Sequence, residues 1–390
     1  MILQELKKFF RIQRILLITA FAVLYYFLFF RLDIVPEYSS DRIFLELSLE
    51  LMGKYGENVD EAEYRDLLDN SVSLDESEIN TWIKEHDGFK WFNIESYGDL
   101  IARLEPLSYS ARASSVDQIS EKFAPEEQQA LWNIVFKRVL SEIYMNDIIE
   151  AYDAELRSNQ PTVYYSKIPE KDQKRIAERN QEEVFSLMPY SAMRKYLSFF
   201  SDFTIFLFLS MIFLIVPYSV KDTIEGIPVL QYSFQKGCRY YWKKLAAVFV
   251  GSFILCLMET GWFALMLSKN YAFSFAGCFV SGFGNPFITL MKLTFGQYIV
   301  MSLVYSACIA LCLALITYCL SGCARNYISA IAFQIPAIIF SFVVSFGFMR
   351  NFAEISQSVI LLCMIPCICI LAAVTGNVAR FCSVKYYGKF

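Results

Sequence analysis

The sequence predicts an all-α polytopic membrane protein: six transmembrane helices plus a mainly helical extracellular domain. Three observations carry this. The 390 residues are 56% hydrophobic, 17% aromatic and only 19% charged, where a soluble domain carries about a quarter charged residues. The charge is also split. Residues 33–195 hold 33 acidic and 18 basic side chains, a net of −15, and the rest hold 6 and 17, a net of +11, which together give the overall −4. Finally, six stretches are apolar over the ~20 residues that a ~30 Å hydrocarbon core requires. An acidic, polar block is inserted into a basic, apolar frame.

Residues 1–32 comprise the N-terminus and the first span, 12–32. Its run "ILLITAFAVLYYFLFF" stays bulky and aromatic to the end, without the small-residue cleavage pattern of a secretory signal. The other spans fall at 197–217, 245–267, 296–320, 328–348 and 357–379, and Pro336 is expected to kink the fifth. Lys7, Lys8, Arg11 and Arg14 precede the first span. Lys221, Lys236, Arg239, Lys243 and Lys244 lie between the second and third, Arg325 between the fourth and fifth, and Arg380, Lys385 and Lys389 in the tail. Placing these in the cytoplasm leaves Lys269, Lys292 and Arg350 in the short outer loops, so both termini are expected inside. The stretch 271–291 is apolar too. Its glycines and Asn285-Pro286 break a helix, and it reads as an outer loop, re-entrant only where protein covers it.

The block 33–195 reads as helices. Ser73 and Glu76 have capping-box spacing ahead of Ile79, Trp82 and Ile83 on one face. Pro125 opens a run in which Leu131, Ile134, Val135, Val139, Ile143 and Ile148 recur at a helical period, on to about 157. A second candidate, 169–187, leads through Pro189 into the second span, and the two could form a stalk. His86 is the only histidine, so no triad or histidine metal cluster can be assembled. All eleven cysteines lie at or after Cys238. The block therefore holds no disulfide, which fits the plasma membrane of a Gram-positive bacterium. Cys308/Cys312 and Cys319/Cys323 read as small packing residues rather than metal ligands.

Residues 196–390 hold five spans, the cytoplasmic loop 218–244 and the cytoplasmic tail. The loop "KDTIEGIPVLQYSFQKGCRYYWKK" is too long for a turn. Ile224, Ile227, Val229, Leu230 and Phe234 among polar neighbours suit a short amphipathic helix, anchored at the lipid interface or seated on a partner. Within the spans, Glu259 lies deep in the third and Asp202 near the outer end of the second. A carboxylate at membrane depth is costly and marks a functional candidate; Asp202 is shallow enough to be interfacial.

Asp222-x3-Gly226-x6-Ser233-x3-Gly237-x-Arg239-x3-Lys243 resembles the coupling segment of ABC-2 type transporter permeases, although Gln235-Lys236-Gly237 replaces a commonly Pro-containing turn. "LTFGQYIVMSLVYSACIALCLALITYCLSGCARNYISAIAF" (293–333) is similar to the same family, with Gly296-Gln297-Tyr298 entering the fourth span and Arg325-Asn326 before the fifth. The resemblance covers the first span and 197–380, not most of 33–195. It implies a permease subunit, an exporter of peptide or amphiphilic antimicrobial substrates, coupled through a 222–236 helix to a separate ATPase that binds ATP and Mg. Asp222, Glu225, Gly226, Leu230, Ser233, Lys236 and Arg239 would meet that ATPase. Lys243 and Lys244 would sit at the foot of the third span among lipid headgroups. A second permease copy or a related permease would complete the transporter, and Glu259 would face the translocation path or the subunit seam. The chain has no G-x-x-x-x-G-K-[ST] phosphate loop, so it carries no nucleotide cofactor by that motif and reads as a non-enzymatic subunit. Neither metal nor nucleic acid is expected as a partner. The alternative is a non-transporting receptor that binds a ligand through 33–195 and signals through 221–244.

Overall fold

A computed structural model describes residues 2–31, 40–59, 62–63, 66, 76–107, 109–143, 145–146, 185–225, 237–280, 289, 291–324, 326–354 and 359–387. The protein is an all-α polytopic membrane protein. Six helices are long and apolar enough to cross a membrane, at Ile12–Phe30, Ser191–Lys221, Arg239–Leu267, Phe295–Ser321, Tyr327–Asn351 and Ile360–Ser383. Each overlaps a stretch anticipated from hydropathy.

Helix α1 (Ile2–Phe9) precedes α2 (Ile12–Tyr25), which widens into a π turn over Tyr26–Phe30. The remaining spans lie in α8 (Tyr190–Ile224), α9 (Gly237–Leu267), α10 (Phe295–Ser321), α11 (Tyr327–Phe342, continuing as a π segment, Val343–Phe348) and α12 (Val359–Tyr387). Helix α8 is the hub: 83% of its span window is buried, against 6% for the first span. Its sequence explains this. Phe199, Phe200, Phe203, Phe206, Leu207 and Phe208 are apolar on every face, and such a helix is covered all round. The outer spans are one-sided. Along α9, Ser252, Leu255, Cys256, Glu259, Phe263 and Met266 are buried at helical spacing, while Phe253, Leu257, Met258 and Leu265 face outward, as suits hydrocarbon chains.

Helix α10 starts on a reciprocal cap. The Thr294 hydroxyl accepts from the Gln297 amide at 3.3 Å, and Gln297 Oε1 accepts from the Thr294 amide at 3.1 Å. Asn326 caps α11 through the Ser329 amide at 2.8 Å. Pro336 lies inside α11 as expected, and Pro217 and Pro366 also stand inside helices. Residues 271–280 form a 3₁₀ turn (Tyr271–Phe275) and a bridge from Phe279 to Thr294. Residues 281–288 and 290 lie outside the described residues.

The polar block has its own core. Helices α4 (Glu76–Glu85), α5 (Tyr97–Leu104), α6 (Tyr109–Ser120) and α7 (Pro125–Leu131), with a 3₁₀ turn over Asp87–Phe92, enclose Ile79, Ile83, Phe89, Leu100, Val116 and Phe136. Pro125 stands in the first turn of α7 as anticipated. Helix α7 passes through a π turn (Trp132–Phe136) into helix 137–143, burying Leu131, Val135, Val139 and Ile143. Ser73, Ile148 and the rest of both stalk candidates lie outside the described residues, apart from 145–146, which are helical, and 185–187. There the helix expected to reach 187 is corrected: Phe185–Ser186 (β2) is extended and pairs antiparallel with Asn58–Val59 (β1), which follows α3 (Ser40–Tyr55). Backbone hydrogen bonds across this pair replace those a helix would have made. His86 is structural: its ring stacks on Trp82 with centroids 3.7 Å apart, and Nδ1 lies 2.9 Å from the Trp82 carbonyl.

Candidate functional site

Two clusters stand out, one within the membrane span of the bundle and one at the end that carries the termini. The first is built around Glu259. The buried face of α9 turns this carboxyl toward α8, where the Ser210 hydroxyl donates to Oε2 at 2.8 Å. Ser210 Oγ also lies 2.9 Å from the Leu207 carbonyl, so its single proton serves two neighbouring acceptors. Oε1 is buried and has no partner, and the residue is 6% exposed. Leaving a buried polar atom unpaired costs about 1–3 kcal/mol, more if it is charged. At ~1.5 Å per residue, Glu259 sits about 12 Å from the Leu267 end of its helix, inside the apolar zone.

Glu259 forms part of the wall of a cleft of about 500 Å³ between α2, α8 and α9. Phe206 and Leu255 form its buried side, and Tyr26 and Trp262 are half-buried beside them. Val23, Phe27 and Met258 are exposed at its mouth, on the surface that the bundle presents to lipid. The first span is thus the outer wall of a cleft whose inner wall carries a carboxyl.

The second cluster centres on Glu5 of α1, 3% exposed. It accepts from Lys8 Nζ at 2.9 Å, from the Tyr218 hydroxyl at 2.9 Å and from the Tyr240 hydroxyl at 3.0 Å. Burial pushes its carboxyl up, but the hydrogen bonds from Lys8, Tyr218 and Tyr240 outweigh this and hold it below the usual glutamate value of 4.5. Arg14 closes the corner between α1 and α2, donating to the Lys8 carbonyl at 2.6 Å. Lys7, Lys8, Arg11, Arg14 and Lys221 line a cavity of about 370 Å³ with Tyr218 and Glu225.

On the same end, α9, α10 and α12 are tied together. The Tyr241 hydroxyl donates to Asn377 Oδ1 at 3.0 Å, Asn377 Nδ2 donates to the Leu315 carbonyl at 3.2 Å, and Arg380 Nη1 donates to the Tyr318 carbonyl at 2.6 Å.

The anticipated coupling residues are partly placed. Asp222 is in the last turn of α8, and Glu225 follows its end, 3.5 Å from Lys221 Nζ. Arg239 and Lys243 are exposed on the first turns of α9. Gly226, Leu230, Ser233 and Lys236 lie outside the described residues, as does Arg325. Lys244 departs from the headgroup position expected of it: it is 4% exposed, with its ammonium 5.0 Å from the centroid of the Tyr240 ring. Asp202 is half-buried, and its carbonyl accepts from the Tyr25 hydroxyl at 3.0 Å. Glu5, Ser210 and Asn377 were missed. The signal for Glu5 was available, as a lone acidic residue in a basic amphipathic helix. Among the described residues no group of three His, Cys, Asp or Glu side chains is placed to hold a metal ion.

No family model, no curated protein and no solved structure matches the chain. The functional reading therefore rests on the residues themselves.

Proposed function

We propose that the chain is the membrane-spanning permease subunit of an ATP-driven transporter of the ABC-2 kind, an exporter of peptide or amphiphilic antimicrobial substrates. In this reading both termini are cytoplasmic, in the plasma membrane of a Gram-positive bacterium. A separate ATPase, with its ATP and Mg, seats on the segment 222–236 through Asp222, Glu225, Gly226, Leu230, Ser233, Lys236 and Arg239, with Lys243 at the foot of the third span. The transporter is completed by a second permease, and Glu259 lies toward the translocation path or the subunit seam.

The observation that carries this reading is the bridge from Glu5 to Tyr218 and Tyr240. A force applied between residues 225 and 237 reaches the bundle through α8 and α9, each continuous from that loop to the far end of its span. Unlinked, the two helix ends could move independently. With one carboxylate bonded to both, they and α1 move as one body, which suits a lever driven from a single loop. Arg239 and Lys243 are exposed on the first turns of α9, on the surface where an acidic partner could bind.

The test is affinity purification of the tagged full-length chain from its host, beside a Gly226→Asp, Arg239→Glu double variant. An ATPase that co-purifies with the normal chain and is lost with the variant supports the coupling role. If no ATPase co-purifies with either, the transporter reading fails and a receptor that signals through 221–244 replaces it.

A further inference from the structure

We propose that the cleft between α2, α8 and α9 is a binding site for a lipophilic organic cation that enters from the bilayer and places its positive centre against Glu259. The inference does not depend on the transporter reading.

Charge complementarity comes first. Glu259 is buried, one of its oxygens is unpartnered, and among the described residues no cationic side chain acts on it. Among the described residues Ser210 alone compensates the carboxyl, through the opposite oxygen. A buried acidic group without a counter-charge is an expensive element of a membrane bundle, and a positive ligand supplies what the protein lacks.

The walls point the same way. Tyr26, Phe27, Phe206 and Trp262 bring four aromatic rings to one cleft that also holds the carboxyl. Ring faces attract organic cations, and the attraction grows in a desolvated site. An anion would meet the carboxyl, and a neutral apolar molecule would leave Oε1 unpaired. A cation with an apolar body satisfies the acid, the rings and the aliphatic side chains of Val23, Leu255 and Met258 together.

Size and access agree. About 500 Å³ lies within the ~300–1,000 Å³ typical of sites for drug-sized ligands. The mouth is flanked by Val23, Phe27 and Met258, which are 52%, 57% and 65% exposed on the outer face of the bundle. A ligand dissolved in lipid therefore reaches the cleft sideways. Glu259 belongs to the lining of the cleft, and a partial turn about its soft terminal torsion suffices to present the carboxyl to the ligand.

The test uses the purified full-length chain in lipid nanodiscs, without nucleotide or any ATPase, so its result is separable from the fate of the transporter reading. The probe is radiolabelled tetraphenylphosphonium, with triphenylphosphine oxide as an uncharged competitor of related shape. Saturable binding is expected, little displaced by the oxide. Glu259→Gln, nearly isosteric, should weaken it at least about tenfold, Trp262→Ala by about two- to fivefold, and Met258→Trp should block the mouth while leaving the carboxyl in place. Absence of saturable binding to the normal chain overturns the proposal. So does equal binding by Glu259→Gln, or displacement by the oxide as effective as by unlabelled probe. Should Glu259→Gln fail to fold, Met258→Trp decides alone, and retained binding in that variant overturns the site.

Discussion

The guanidinium of Arg380 occupies the space where a side chain on Gly322 would begin: a Cβ built there would stand 1.7 Å from Arg380 Cζ. Arg380 crosses the end of α10 at this point to reach the Tyr318 carbonyl, with its guanidinium carbon 4.7 Å from the Tyr318 ring centroid. The glycine is the passage that lets α12 latch onto α10.

Gly322→Ala should therefore act through Arg380. The methyl group expels the guanidinium and breaks its bond to Tyr318, for about 1–3 kcal/mol of destabilisation. Arg380→Ala should cost a similar amount. The double variant should be little worse than either single, because both remove one contact. Thermal unfolding in detergent of the three variants checks this; full additivity would show that the two residues act separately.

Glu5 gives a pH-dependent contact. Its carboxyl is held below 4.5 in the folded protein, so its contribution is fully present above that value and is lost as pH falls through the lowered folded value. Glu5→Gln should lower the midpoint of thermal unfolding at neutral pH, for about 1–3 kcal/mol. The gap to the normal chain should close in acid. A gap that stays constant from neutral pH into strong acid would mean that the charge on Glu5 does not matter.

Glu142 in the polar block behaves oppositely. Burial, with Glu76 nearby, raises its carboxyl above the ordinary value of 4.5, while the Tyr97 hydroxyl donates to Oε2. An acid whose folded value is raised weakens the fold as pH climbs past the unfolded value, and that cost is absent below it. Glu142→Gln keeps an acceptor for Tyr97 and should stabilise the block at neutral pH, on the order of 0.5 kcal/mol after solvent screening. The gain should vanish in acid. Hydrogen exchange of amides in α5 and in helix 137–143 reads the effect, and slower exchange in the normal chain at neutral pH would contradict it.

Ser210 and Glu259 should respond unequally to substitution. Ser210→Ala strips the carboxyl of the hydrogen bond to Oε2 and should destabilise the bundle by about 1–3 kcal/mol. Glu259→Met removes the orphan oxygen and keeps the volume, so it should be neutral or stabilising. Unfolding midpoints of the two variants in the same detergent test this; a large loss in Glu259→Met would make the carboxyl a structural element.

The spans were legible because length and apolarity alone define them; the reciprocal cap of Thr294 and Gln297 that starts α10 had its signal in the T-x-x-Q spacing but was not read. Pairings between distant residues were not. Glu259 finds Ser210 only through the relative rotation of α8 and α9, and α8 is apolar on all faces, so no periodicity reveals which side meets α9. Glu5 meets Tyr218 and Tyr240 across 213 and 235 residues. The β1–β2 pair is two residues long on each side, too short for alternation to register. The Lys244 expectation failed because a basic residue beside a span is ordinarily drawn to headgroups, while here the Tyr240 ring offers its ammonium an inward alternative.

That short β pair is the point at which the chain leaves the frame for the polar block and returns to it. Asn58 stands opposite Ser186 and Val59 opposite Phe185, so the chain leaves for residue 60 and returns from residue 184 at neighbouring positions. Below this junction, the Leu187 amide donates to the Glu57 carbonyl at 3.3 Å and the Ser186 hydroxyl to the Phe279 carbonyl at 2.8 Å, riveting the socket to the bundle. Paired strands lie only about 5 Å apart, a gap that a two-residue turn can close. Residues 60–184 could be lengthened, exchanged or replaced by such a turn at the same two stumps, at the cost of what they lend α3, where Lys137 Nζ lies 3.0 Å from Glu46 Oε2 and Leu47 packs on the block's core.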